Sequence, residues 1–278
     1  MPSQPSPRAE IGIIGGSGLY TMATPAGSEF EEVAIETPWG TPSGSIVLTE
    51  VCGRRIAFLP RHGATHSLPP HRINYRANIW ALHHLGVERV LAPCAVGSLR
   101  PEHPPGSVVI PDQFLNLTSS RPDTYFEGPE VAHLSAADPY CPELSHLAAD
   151  VVPSSGLATH RGGTVIVISG PRFSTRAESR LYSSWGGSVI NMTQYPEVVL
   201  ARELGMCYIN LSLVTDYDAG LDGDTAIRPV TQEAVLDVFR EATAALQNAL
   251  RSLVGALPAE RSCRCRDAPQ PLGHSSDE

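Results

Sequence analysis

The sequence predicts an α/β fold: a single domain with a central mixed β-sheet flanked by helices. Two observations carry this. Short apolar runs such as "EIGIIGG", "RRIAFLP", "GGTVIVISG" and "MCYINLSLVTD" alternate with stretches of helical spacing. Several of these runs are apolar at nearly every position, as strands covered on both faces are. No internal repeat interrupts the alternation.

Each element has its own signal. "EIGIIGG" is a strand that ends in glycines. "SIVLTEV" and "RRIAFLP" flank "CG" and read as a hairpin. "INYRANIWALHHLG" has helical spacing and a stop at Gly86. "VERVLAPCAVGS" is a strand running into a small-residue loop, and "GSVVIPDQF", "GGTVIVISG" and "GSVIN" are further strands. "YPEVVLARELG" is a helix with Pro196 in its first turn and Gly205 at its end. "MCYINLSLVTD" is a strand, and "TQEAVLDVFREATAALQNALRSLVGA" is a long amphipathic helix. The Pro- and Ser-rich residues 1–9 and the segment 258–278 read as disordered tails around a domain at 10–257.

Composition removes several function classes. The net charge is −9 and no basic cluster is long enough to follow a phosphate backbone, so nucleic acid is not expected as a partner. No apolar run reaches the ~18 residues of a membrane span, and the first ten residues lack the apolar core of a signal peptide. The expected location is cytoplasmic. The chain contains no lysine, which removes Schiff-base chemistry and a Walker-type phosphate loop. Of six cysteines, Cys52, Cys94, Cys141 and Cys207 are scattered as reduced core thiols would be, while Cys263 and Cys265 form a C-x-C. Two ligands do not make a zinc site, so no metal is expected.

Six stretches carry candidate chemistry. "IIGGSGLY" is a glycine loop after a strand, where backbone N–H groups and Ser17 suit an anion, although a tight turn explains it equally well. In "FLPRHGATH", Arg61 and His62 follow a strand; the planar fork of Arg matches a phosphate. "APCAVGSL" leaves room beside the backbone of Cys94 and Ala95, and Cys94 itself reads as an inert buried thiol. "SGPRFSTRAESR" offers Phe173 to stack on a flat ligand and Ser174 to bond its edge; Arg176, Glu178 and Arg180 read as a salt-bridged helix face. "VINMTQYPE" delivers Met192, an adaptable apolar surface, and Thr193, a hydroxyl. Finally, "VTDYDAG" places Asp216 and Asp218 on one face if the strand continues through both. Side by side, they suit a ligand edge that carries N–H groups better than a metal or a glycosidic pair.

Taken together, "GGSGLY", "RHG", "NYRANIWAL", "GSL", "DQF", "GPRFSTRAES", "NMT", "PEVVLAREL" and "TDYD" closely resemble the trimeric purine nucleoside phosphorylase family, in its methylthioadenosine-cleaving branch. The likeness covers about residues 10–256, in order. It implies phosphorolysis of 5′-deoxy-5′-methylthioadenosine, or a related 5′-modified adenosine, to adenine and the sugar 1-phosphate. Inorganic phosphate is then a co-substrate and no cofactor is expected. The resemblance assigns Ser17, Arg61, His62, Thr193 and the backbone of Cys94 and Ala95 to phosphate. It places Met192 under the ribose and Phe173 and Ser174 at the base. Asp216 becomes the catalytic acid at N7 and Asp218 the acceptor for the 6-amino group. Gln232 and Val235 fall at the 5′ pocket, and His133 matches a residue lent by a neighbouring subunit of a homotrimer. Two departures stand out: Cys94 occupies a position often held by Thr, and Gln232 one that is commonly apolar. "RHGAT" also fits a histidine phosphomonoesterase, and loss of the Thr hydroxyl fits a non-catalytic nucleoside-binding protein.

Overall fold

The computed structural model describes residues 9–24, 29–220, 230–267 and 269. Among them the elements run β1 (Ile11–Gly15), α1 (Tyr20–Ala23), β2 (Glu31–Val33), β3 (Ile46–Val51), β4 (Arg54–Pro60), α2 (Tyr75–His84), β5 (Arg89–Ser98), β6 (Val108–Ile110), β7 (Gln113–Leu117), α3 (Pro142–Val151), β8 (Thr159–Arg161), β9 (Thr164–Ile168), α4 (Arg176–Ser184), β10 (Gly187–Asn191), α5 (Gln194–Glu203), β11 (Cys207–Asp216) and α6 (Gln232–Ala256). The strands form one mixed sheet with helices on both faces, as the sequence predicts. No described helix is long and apolar enough to cross a membrane.

Local chemistry explains the boundaries. The β3–β4 hairpin turns through Cys52 (φ 53°) and Gly53 (φ 74°), two consecutive left-handed residues of the kind that match strand twist in a two-residue loop. Cys52 is therefore exposed, not a core thiol. Helix α2 starts at Asn74, whose side chain accepts the Ala77 N–H, and stops before left-handed Gly86. "VERVLAPCAVGS" does not break into a loop; it remains strand as far as Ser98.

Strand alternation sorts the core into two layers. Ile11 and Ile13 of β1 face α3 and α6 together with Ile209, Leu211 and Leu213 of β11, whereas Ile14 and Tyr208 face α2 and α5. On α6 the buried residues are Leu246, Ala249, Leu250, Leu253 and Val254, one stripe at helical spacing. Each fully buried Leu or Ile contributes about 1.5–3 kcal/mol through the hydrophobic effect.

The ordered chain extends past both expected tail boundaries. Ala9 is buried and its N–H donates to Leu85 O. At the other end, Arg89 Nη2 donates to Pro258 O at 3.0 Å, and Glu143 Oε2 accepts the N–H groups of Ser262 and Cys263. Polar composition suggested a free tail, but fixed backbone partners hold residues 258–267 against the body.

The centre of the sheet decides where a ligand fits. Strand β5 pairs along its length with β11 in parallel, from Arg89↔Cys207 to Gly97↔Asp216. On its other side it pairs with β1 only through Leu91, and with β10 only at Gly97 and Ser98. Among the described residues, Ala92–Val96 has no ladder partner on that side. The sheet splits there, beside Pro93–Ala95 and next to the ends of β1 and β4, a position of the kind where ligands gather in α/β sheets.

Candidate active site

The two acids converge, but not by strand alternation. Strand β11 ends at Asp216, with an irregular register between Val214 and Asp216. Asp218 lies in the following turn at φ 46°, a conformation that is uncommon outside glycine. Both close on Gly97: a Cβ added there would lie 2.9 Å from Asp216 Oδ1 and 3.1 Å from Asp218 Cβ. Only glycine leaves room for both. Asp216 Oδ1 accepts the backbone N–H of Asp218 at 2.7 Å, and its Oδ2 accepts the Thr215 hydroxyl at 2.7 Å.

Burial, more than the neighbouring carboxylate, controls their charge. It pushes Asp216 up to about 6, against the two hydrogen bonds that hold it down; the charge of Asp218 adds least. Asp218 is also raised, by burial first, although Ser179 and Ser174 work the other way. Asp218 Oδ2 and Ser174 Oγ are buried without a well-formed hydrogen bond. Unpaired buried polar atoms cost about 1–3 kcal/mol each and call for an explanation such as a ligand. The Arg176 guanidinium donates to Ala219 O at 3.1 Å, which ties α4 to this turn.

Near Pro93, Arg61 commits part of its fork to the protein itself. It is 2% exposed, and its planar fork grips Glu197 through Nε at 2.6 Å and Nη2 at 3.0 Å, while Nη1 donates to Pro93 O. Of five guanidinium donors, three are committed, so one N–H on each of Nη1 and Nη2 is left for an anion. Burial opposes the charge on Arg61, but Glu197 outweighs it and holds the guanidinium above its ordinary value. Tyr208 OH also donates to Glu197, at 2.8 Å. His62 Nδ1 lies 2.8 Å from Leu68 O, to which it donates. Burial holds His62 down to about 4, so it is neutral at pH 7.

The remaining predicted residues occupy the following places. Cys94 is buried: its Sγ donates to Asn210 Oδ1 at 3.5 Å and accepts from Asn210 Nδ2 and Asn191 Nδ2. Burial raises the thiol, which makes it inert as expected. Ala95 is the one partly open residue between Arg89 and Leu99. Thr193 precedes α5 and its side chain makes no capping bond. Met192 packs over Gly170. Phe173 is 39% exposed. Ser17 opens a 3-10 turn directly after β1, and its side chain lies outside the described part of the chain.

Comparison with known proteins shows the family. The sequence model of the phosphorylase superfamily matches residues 10–255. The chain belongs to that superfamily. It is 50% identical over 258 residues to the S-methyl-5′-thioadenosine phosphorylase of Pyrococcus abyssi, covering 93% of this chain and 96% of that protein. It is equally identical, over 268 residues and 93% of both chains, to a purine nucleoside phosphorylase of Streptomyces coelicolor. Among solved structures, a methylthioadenosine phosphorylase from an Antarctic soil metagenomic library superposes with a TM-score of 0.86 at 39% identity, over 94% of this chain and 91% of that one. The Schistosoma mansoni methylthioadenosine phosphorylase bound to adenine gives 0.84 at 33% identity, over 91% and 93%.

The phosphatase reading of "RHGAT" receives no support from these matches, and in this phosphorylase the motif follows the fourth strand. Gln232 is the exposed first residue of α6, and Val235 is half-buried one turn on. The start of α6 approaches the glycine loop, since a Cβ on Gly18 would meet Phe239 at 2.7 Å. His133 is exposed, in an irregular segment before α3. Sequence reasoning missed Gly97, Glu197, Asn191 and Asn210. A glutamate inside the apolar run "PEVVLA" was the legible hint of a buried ion pair. The asparagines had no signal, because their role depends on which strands meet Cys94.

Proposed function

We propose that this phosphorylase cleaves 5′-deoxy-5′-methylthioadenosine with inorganic phosphate, releasing adenine and 5-methylthioribose 1-phosphate. The observation that carries the reading is the Asp216–Asp218 pair closed over Gly97, with the acceptor Asp218 Oδ2 and the Ser174 hydroxyl buried and unsatisfied. An adenine edge supplies what is missing: its 6-amino group donates to Asp218, and N7 takes a hydrogen bond or proton from neutral Asp216. A 6-oxopurine presents an acceptor to Asp218 instead and is disfavoured.

Phosphate sits in the split beside β5. Pro93 O reaches Arg61 on the open side of the strand, so the backbone of Ala95, two residues on, faces the same side. Ala95 N–H, the Thr193 hydroxyl, the glycine loop with Ser17 and the two spare N–H groups of Arg61 hold the dianion. His62 donates to Leu68, which leaves its Nε2 as an acceptor for a phosphate hydroxyl. Breaking the glycosidic bond builds positive charge on the ribose over Met192 and negative charge on the base. The bound phosphate stabilises the first and then attacks C1′, while Asp216 neutralises the second. Phe173 stacks on the purine. Val235 and Gln232 line the 5′ group.

The active form is a homotrimer in which His133 completes a neighbour's 5′ pocket. Its exposure supports this, as do the exposed apolar side chains of Leu115 and Leu117 on edge strand β7, Val131, Leu181 and Trp185. The test is adenine release from methylthioadenosine with and without phosphate. Release that ignores phosphate makes the enzyme a hydrolase and overturns the proposal. Competition among 5′-methylthio-, 5′-deoxy-, 5′-halo- and unmodified adenosine ranks the 5′ group.

A further inference from the structure

The C-terminal C-x-C does not stand alone. Cys141, Cys207, Cys263 and Cys265 come from three separate parts of the chain, and their four Sγ atoms all lie within 4.8 Å of one another. Cys141 caps the N-terminus of α3, and its Sγ accepts the Leu144 N–H at 3.5 Å. Cys207 opens β11. Cys263 and Cys265 bracket the start of a 3-10 turn at Arg264–Arg266. Cys141, Cys207 and Cys265 are buried, and Cys263 is half-buried.

We propose that these four cysteines form a structural zinc site that clamps the C-terminal segment onto α3 and the start of β11. In the sequence the C-x-C supplies only two ligands; folding brings up the other two, Cys207 from 56 residues upstream of Cys263 and Cys141 from further still. The geometry suits the ion. A tetrahedral site with Zn–S of about 2.3 Å has sulfur–sulfur edges of about 3.8 Å. Here Cys207 Sγ and Cys263 Sγ are 3.3 Å apart, and no pair exceeds 4.8 Å. All four sulfurs are mutual neighbours, close enough together to share one ion.

The charge around the cluster fits as well. Four thiolates around Zn²⁺ leave a net charge of −2. One cation flanks them: Arg261 Nη1 lies 4.0 Å from Cys207 Sγ. It would donate to a metal-bound thiolate and offset part of that charge. Glu143, in the first turn of α3, fixes the approach of the tail through the N–H groups of Ser262 and Cys263. The site is remote from the chemistry: Cys207 and Asp216 mark opposite ends of one strand, about 30 Å apart at the usual rise per residue.

The test uses the full chain purified without chelator. Elemental analysis is expected to find about one zinc per chain. Exchange into Co²⁺ is expected to give the visible bands and near-ultraviolet thiolate-to-cobalt charge transfer of a tetrahedral tetrathiolate. Cys263→Ser/Cys265→Ser should lose most of the metal and lower Tm by several degrees while phosphorolysis persists in the folded fraction. Should that variant fail to fold, the zinc content and cobalt spectrum of the wild-type chain still decide. A wild-type chain that holds no zinc and gives no cobalt spectrum overturns the proposal. So does a mass deficit showing that these cysteines are joined as disulfides.

Discussion

Asp216→Asn should separate stability from catalysis in opposite directions. Burial raises the Asp216 carboxyl from 3.8 to about 6. A group raised on folding favours the folded state fully only below its unfolded pKa, and that contribution is lost as pH rises through the folded value. At pH 8 the deprotonated carboxylate therefore costs about 3 kcal/mol relative to a neutral group, from about two pKa units at 1.36 kcal/mol each. At pH 5 the cost is roughly half of that. Asparagine is neutral at both pH values and nearly isosteric. Its carbonyl still accepts Asp218 N–H, and its amide faces Thr215 Oγ1, whose hydroxyl has a second acceptor 3.2 Å away in Val96 O. The variant should gain about 2–3 kcal/mol at pH 8, or several degrees in Tm at about 2 °C per kcal/mol for a chain of this size. The gain should shrink by about half at pH 5. At the same time kcat should fall about 10²- to 10⁴-fold, since asparagine holds no transferable proton. Paired melts of wild type and variant at pH 5 and pH 8 measure it, and the other titrating groups cancel in the difference. A variant no more stable than wild type at pH 8, or a gap that ignores pH, refutes the reasoning.

Other substitutions test the rest of the cleft. Asp218→Asn replaces an acceptor with a group that also donates, so kcat/KM should move toward 6-oxopurines by about tenfold or more in a head-to-head assay of adenosine and inosine analogues. Cys94→Thr puts a stronger donor beside the phosphate position; KM for phosphate should fall about tenfold, roughly 1.4 kcal/mol, and an unchanged KM would place Cys94 outside the anion site. Gly97→Ala inserts a Cβ 2.9 Å from Asp216 Oδ1. Activity should collapse and denaturant melts should show a loss of about 1–3 kcal/mol. Glu197→Gln leaves the Arg61 charge buried without its partner, so stability should drop by about 3–5 kcal/mol in the same melts.

The elements of this fold were legible because each has a local cause. Ile11, Ile13 and Ile14 mark a strand covered on both faces, Gly86 and Gly205 stop helices, and the α6 stripe repeats at helical spacing. Less was legible where the cause is distant. Helix α3 carries little signal in the sequence: its cap is a cysteine, and its hydrophobic face is short. The end of strand β5 looks like a loop in the sequence because its residues are small, and only its pairing with β11 through Gly97 shows it to be strand. In the cleft, the residue types of "RHG", "NMT" and "TDYD" announced anion and base chemistry, but their final use depended on neighbours. Arg61 has the planar fork that suits a phosphate, and the fold commits part of that fork to Glu197.

What the chain dictates locally is therefore its inventory: strands, helices, turn residues, and which side chains have the chemistry to meet a nucleoside and phosphate. What only tertiary structure decides is every property that depends on a partner remote in sequence. The pKa of Asp216 is set by the water that packing excludes. The closure of two acids rests on Gly97, reached from another strand. The union of a tail C-x-C with Cys141 and Cys207 is likewise a matter of packing. Local propensity acts through neighbours along the chain, whereas desolvation, ion pairing and ligand clusters act through space, and the register of β5 against β11 brings those spaces into being.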